Sequence, residues 1–194
     1  MKCSVYIATS IDGFIARKDG SIDWLEITTV PDSREEENFL DFFEYTRSVD
    51  CMVMGRKSME TIASMNLKPD QWPYGKTKII VLSKTVSEIP ESLSKLTDQM
   101  DIFSGSIKEL VEKLEGDGYQ HAYIDGGKTI QSFLKEGLIQ EMTVTVLPIL
   151  IGEGIPLFGK LENDILLDKV SSTACSNNMI QNRFYLKNFS DVSD

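Results

Sequence analysis

The feature that most constrains this chain is a rhythm. Short apolar runs, mostly β-branched or aromatic, recur at 5–8, 51–54, 78–82, 102–103 and 122–124, each followed at once or after one residue by glycine, serine or threonine. Runs this short read as buried strands rather than buried helices. Between them lie helix-like segments at 32–47, 57–64, 106–114 and 128–136, the last closed by Gly137. Ser106 and Glu109 form a capping box, in which each side chain satisfies an orphan amide beside the other. After Gly137 the period shortens to two. Residues 143–147 read as a strand, 148–159 as a glycine- and proline-rich excursion, and 166–174 faces 180–186 across Asn177-Asn178, a pair suited to a hairpin turn. The expectation is one α/β domain over 1–194, a mainly parallel twisted sheet flanked by helices and finished by antiparallel C-terminal strands.

Charge excludes some partners. Thirty acidic against 20 basic residues leave a net charge of −10, which opposes nonspecific binding to nucleic acid or to an anionic membrane. Any anionic ligand must be held by locally placed cations. Cys3, Cys51 and Cys175 are odd in number and widely spaced, so they read as small buried thiols in a reducing compartment, neither a disulfide framework nor a metal site. The first residues lack the pattern of a signal peptide, and no run approaches the ~18 apolar residues of a membrane span, so a cytoplasmic protein is expected.

Three strand ends share a composition. Met54 leads into Gly55-Arg56-Lys57-Ser58, Leu82 into Ser83-Lys84-Thr85, and Ile124 into Asp125-Gly126-Gly127-Lys128-Thr129. Glycine lets backbone amides approach a phosphate, a helix N-terminus presents them with a favourable dipole, and Arg, Lys, Ser and Thr add donors. In an open α/β sheet ligands bind at the carboxyl ends of the strands. Three such loops on one edge describe a polyphosphate or dinucleotide site. A Walker loop would need glycine where Ala122 stands, and no GxGxxG follows the first strand.

Six segments in order carry a resemblance: Ser10-Ile11-Asp12-Gly13-Phe14-Ile15-Ala16, Gly20-Ser21-Ile22-Asp23-Trp24-Leu25, Val53-Met54-Gly55-Arg56-Lys57-Ser58-Met59-Glu60, Val81-Leu82-Ser83-Lys84-Thr85, Ile124-Asp125-Gly126-Gly127, and the stretch from Leu147-Pro148 to Leu157-Phe158. Together they resemble the dihydrofolate-reductase superfamily, and within it the branch of the C-terminal reductase domain of the riboflavin-biosynthesis deaminase-reductase. The zinc signature of the deaminase half has no counterpart. The resemblance implies an oxidoreductase that moves hydride from NADPH to a pyrimidine- or pteridine-type ring. It further implies that the loop Ile11-Asp12-Gly13 covers the nicotinamide, with Ala8 near its carboxamide. Gly55, Arg56, Lys57 and Ser58, with Leu82, Ser83 and Lys84, would hold the adenosine ribose and its 2′-phosphate. Gly126, Gly127, Lys128 and Thr129 would cradle the pyrophosphate through their backbone amides.

For the catalytic acid the residues name two candidates. On a helix beginning near Asp32, Glu36 continues the apolar stripe of Phe39, Leu40 and Phe43, while Asp41 falls on the opposite side. Asp12 is the second, though an aspartate before glycine commonly accepts nearby amides. Trp24 reads as a hydrophobic plug and His121 as structural. Two other functions stay open: a nucleotide-binding regulator without catalysis, and a phosphate-handling transferase using Lys128 and Thr129. The alternating C-terminal strands would leave a long sheet edge, so a homodimer across them is expected.

Overall fold

The computed structural model describes residues 1–27, 39–175 and 177–186. Its centre is an eight-stranded sheet in the order β5-β4-β3-β6-β1-β7-β10-β9. The strands are β1 (Lys2–Ser10), β3 (Cys51–Gly55), β4 (Lys78–Leu82), β5 (Met100–Phe103), β6 (His121–Asp125), β7 (Glu141–Leu147), β9 (Leu167–Ala174) and β10 (Ile180–Leu186). From β5 to β7 every neighbour is parallel, whereas β10 runs antiparallel to both β7 and β9. The fold class is as the sequence implies. Asn178 takes φ 66° in the turn before β10, which an asparagine tolerates at little cost.

Strand alternation sends side chains to two cores. Cys3, Val5, Val53 and Ile124 face one core, closed by Leu110 and Leu114 of α4 (Ile107–Gly116) and Ile130 and Phe133 of α5 (Gly127–Lys135). Met52, Met54, Val81 and Tyr123 face the other, closed by Tyr45 of α1 (Phe42–Arg47), Met59 and Ile62 of α2 (Arg56–Ser64) and Leu93 of α3 (Glu91–Ser94). The capping box forms as read: Ser106 Oγ accepts from the Glu109 amide at 3.3 Å, and Glu109 Oε2 accepts from the Ser106 amide at 2.7 Å. Trp24, 1% exposed, plugs a third, smaller core with Phe39, Leu147, Cys175 and Met179.

Two features depart from the sequence reading. Of the helix expected over 32–47, residues 32–38 lie outside the described residues; the described part holds α1 over Phe42–Arg47, capped by Asp41, which accepts from the amides of Phe43 and Glu44 at 2.9 and 3.2 Å. Phe39 and Leu40 therefore precede α1 and are not on its apolar face. The excursion 148–159 contains β8 (Ile155–Pro156), which pairs antiparallel with β2 (Phe14–Ala16). Among the described residues no helix is long and apolar enough to cross a membrane.

Candidate active site

Because β4, β3 and β6 are neighbours, their three C-terminal loops lie side by side. Gly55 is the N-cap of α2 and Gly126 that of α5, so both helices point unpaired first-turn amides at this edge. The glycines also let the loops touch. A Cβ on Gly55 would lie 2.8 Å from Thr129 Oγ1, and one on Gly126, at φ +87°, would collide with the Ser58 hydroxyl. Arg56 reaches from α2 to the next loop, its Nη1 donating to Thr85 Oγ1 at 3.5 Å. Ser83 Oγ accepts from the amides of Thr85 and Val86 at 3.2 and 3.0 Å, which fixes that loop's turn. Lys57, Lys84 and Lys128 are exposed, while Leu82 and Ala8 are half-buried.

Two hydroxyls of these loops point inward. Thr129 is 7% exposed and packs beneath Gly55, which leaves its backbone amide in the first turn of α5 and its hydroxyl off the surface. Ser58 turns inward against the carboxyl of Asp125. Both hydroxyls join the loops to each other, and the outward donors are amides, Arg56 and the lysines.

Asp125 is the residue that motif reading passed over. It ends β6 immediately before Gly126-Gly127, half-buried, with Tyr123 Oη donating to its Oδ1 at 3.3 Å. Desolvation raises its pKa above the ordinary aspartate value, despite the opposing hydrogen bonds of Ser58, Tyr123 and the Gly126 amide. The signal for it was present as a carboxylate abutting a glycine pair at a strand end. The same Tyr123 hydroxyl lies 3.0 Å from Tyr6 O and donates to it, which brings Tyr6 of β1 to this end of β6. Tyr6 begins an aromatic wall: its ring lies 5.7 Å from Phe42, which lies 6.2 Å from Tyr74. Gln181 of β10 holds the chain above this wall, accepting from the Leu40 amide at 2.7 Å and donating to its carbonyl at 3.1 Å. No local pattern announces that contact, since it spans 141 residues.

Asp12 acts as a latch. Its Oδ2 accepts from the Gly152 amide at 2.7 Å and its Oδ1 from Ile151 at 3.3 Å, tying the loop after β1 to the 148–159 excursion. The Ile11 amide donates to Ile149 O at 2.9 Å, and the Leu157 amide to Gly13 O at 3.0 Å. The Ser10 hydroxyl, with the Gly152 and Ile151 amides, holds the Asp12 carboxyl below the usual aspartate value. An exposed carboxylate so held is a poor proton donor. Glu36 lies outside the described residues.

At the opposite end of the sheet the titratable groups are structural. His121 Nε2 lies 2.7 Å from Ser4 Oγ and its Nδ1 lies 3.0 Å from Ser48 O. Burial pushes the Cys3 thiol up to about 11 and the Cys51 thiol to about 12, so both stay protonated and inert.

Comparison with known proteins agrees with this geometry. The sequence matches the RibD C-terminal domain over residues 2–181. The uncharacterized protein YwjB of Bacillus subtilis (strain 168) is 32% identical over 167 residues, covering 86% of this chain and 87% of that protein. The riboflavin biosynthesis protein RibD of Aquifex aeolicus (strain VF5) is 34% identical over 80 residues, 40% of this chain and 22% of RibD. Among solved structures, a candidate riboflavin biosynthesis protein of Shewanella sp. PV-4 is 36% identical with a TM-score of 0.84, covering 97% of this chain and 100% of that one. A dihydrofolate reductase of Enterococcus faecalis, complexed with NADP(H), shares the fold at 15% identity and a TM-score of 0.64, covering 96% of this chain and 97% of its own. The chain belongs to the RibD C-terminal domain family.

Proposed function

We propose that this protein is an NADPH-dependent oxidoreductase that delivers hydride to a planar heterocycle of the pyrimidine or pteridine type. The observation that carries the reading is the continuity of β6 into α5: the proton-holding carboxyl of Asp125 and the amide cradle of Gly126-Gly127 are consecutive residues. Coenzyme phosphate and reacting ring are thereby held by one rigid element. The donor set suits a dinucleotide, because Gly55 and Gly126 cap two adjacent helices whose unpaired first-turn amides can take its phosphates. Arg56 and Lys84 add donors for an extra phosphate dianion in an otherwise acidic chain. NADPH supplies the hydride when bound, and the protein supplies position and a proton.

Reduction of a C=N or C=O bond leaves negative charge on the heteroatom, which a nearby acid relieves. Asp125, with its raised pKa, holds a proton nearer to neutrality than an ordinary aspartate does. Tyr6, Phe42 and Tyr74, packed tilted and edge to face, offer aromatic surface to the ring. The Asp12 latch keeps the covering loop closed over the coenzyme. Glu36, which lies outside the described residues, keeps its proposed role as an acid of the site.

Fluorescence titration with NADPH and NADH, followed by NADPH oxidation against a panel of pterins and aminopyrimidines, tests this reading. NADPH is expected to bind more tightly, and Arg56→Ala to lose on the order of ten- to a hundredfold in NADPH affinity. Equal dissociation constants for the two coenzymes would overturn the assignment of NADPH, and absence of turnover across the panel would overturn the reductase. The reading includes a homodimer across β9, the terminal strand of the sheet, near which Leu166 and Leu167 are exposed. A monomer mass by light scattering would remove it.

A further inference from the structure

We infer that Glu60 sets the coenzyme selectivity of this protein by occupying the cations that the 2′-phosphate of NADPH must use; the inference rests on the reading above. Glu60 lies one turn along α2 from the proposed phosphate donors. Its Oε1 is 3.5 Å from Arg56 Nε and its Oε2 is 3.0 Å from Lys57 Nζ, so one carboxylate serves both cations of the loop. The hydrogen bond of Lys57 and the charge of Arg56 hold Glu60 below the ordinary glutamate value. It is therefore an anion throughout the neutral range.

The second acid near these loops differs. Glu109 faces Lys84, yet its carboxylate is committed to the amide and hydroxyl of Ser106 at 2.7 and 2.8 Å. It cannot leave without uncapping α4. Glu60 accepts from no backbone amide among the described contacts and is 41% exposed, against 40% and 78% for Arg56 and Lys57. Pairs this open to water are weak and readily exchanged. A phosphate dianion brings twice the charge and bidentate geometry to Arg56, so it displaces Glu60. The displaced carboxylate stays tethered within a helical turn and repels the dianion. NADH has no 2′-phosphate and leaves the Glu60 pairs intact. Glu60 thus weakens NADPH selectively and narrows a preference that Arg56 would otherwise make larger.

The test is the pair of dissociation constants for NADPH and NADH in the full chain and in Glu60→Gln, with Glu136→Gln as the control for net charge. Glu136 lies at the far end of α5, paired with Lys108. Glu60→Gln is expected to tighten NADPH roughly three- to tenfold while leaving NADH within about twofold. An unchanged or smaller preference for NADPH over NADH would overturn the inference and leave the reductase reading intact, since Glu60 would then be orienting Arg56 or doing nothing. An equal gain in Glu136→Gln would overturn it as a general charge effect. Failure of the parent protein to bind either coenzyme would overturn the reading on which it rests.

Discussion

Two carboxylates on interior strands occupy opposite ends of the same sheet and have opposite fates. Glu141 begins β7 and is 3% exposed. Desolvation alone would raise its pKa, but Lys2, 2.6 Å from its Oε2, and Arg183, paired with its Oε1, outweigh that and hold it below the ordinary glutamate value. Asp125 ends β6 with hydroxyls and an amide for partners and no cation among the described residues, and there desolvation wins. The difference lies in the partners: two cations make a buried carboxylate a structural ion, whereas neutral donors leave it able to hold a proton. The ion stands at the amino end of the parallel strands. The proton holder stands at the carboxyl end, where a parallel sheet presents its ligand-binding loops.

That contrast can be broken experimentally. The largest effect is expected from Asp125→Asn, which should lower turnover by ~10²–10⁴-fold while NADPH affinity stays nearly unchanged. A variant with full turnover would make Asp125 a structural residue like Glu141. In the parent protein activity should fall as pH rises through the raised pKa of Asp125, because the acid form is the donor, and Asp125→Asn should flatten that limb.

The next effect is on stability. Glu141→Ala should destabilise the fold by about 1–3 kcal/mol in urea unfolding at neutral pH, less than a fully enclosed pair would lose, because the Lys2 and Arg183 side chains are 42% and 37% exposed and regain water. The pH dependences should run in opposite directions. Glu141 is depressed in the folded state, so its contribution is present above the ordinary glutamate value and is lost as pH falls through its native one. Asp125 is raised, so the folded state binds the extra proton, and stability falls as pH climbs from the ordinary aspartate value through the native one. Asp125→Asn should accordingly stabilise the protein at neutral pH by roughly 1 kcal/mol, about 2–4 °C in Tm for a chain of this size. A loss of stability would mean that the charged form is the one the site favours.

The smallest effect is expected at Asp12. Asp12→Asn retains one acceptor for the latch and should raise the KM for coenzyme a few-fold with little change in the pH profile, since the parent carboxylate is ionised throughout. A pH limb that vanished in Asp12→Asn and persisted in Asp125→Asn would exchange the two assignments.

Everything governed by near neighbours is legible in the order of the residues. The strand–helix rhythm, the Ser106-Glu109 cap, the turn before β10 and the glycine loops after β3 and β6 are set by contacts a few residues long, so composition and spacing expose them. The segment from Phe39 to Phe43 shows the limit, because its apolar residues fit a helical stripe, yet the Asp41 side chain, capping Phe43 and Glu44, starts α1 at Phe42. Only the tertiary structure decided the rest. Ser58 and Thr129 look like phosphate donors in sequence, but adjacency of β3 and β6 turns them toward each other's loops. The Gln181 clamp on Leu40, the β2–β8 pairing and the Asp12 latch join segments more than a hundred residues apart. The proton affinity of Asp125 follows from what surrounds it and not from its place in the chain, because desolvation and the choice of hydrogen-bond partners are properties of packed space.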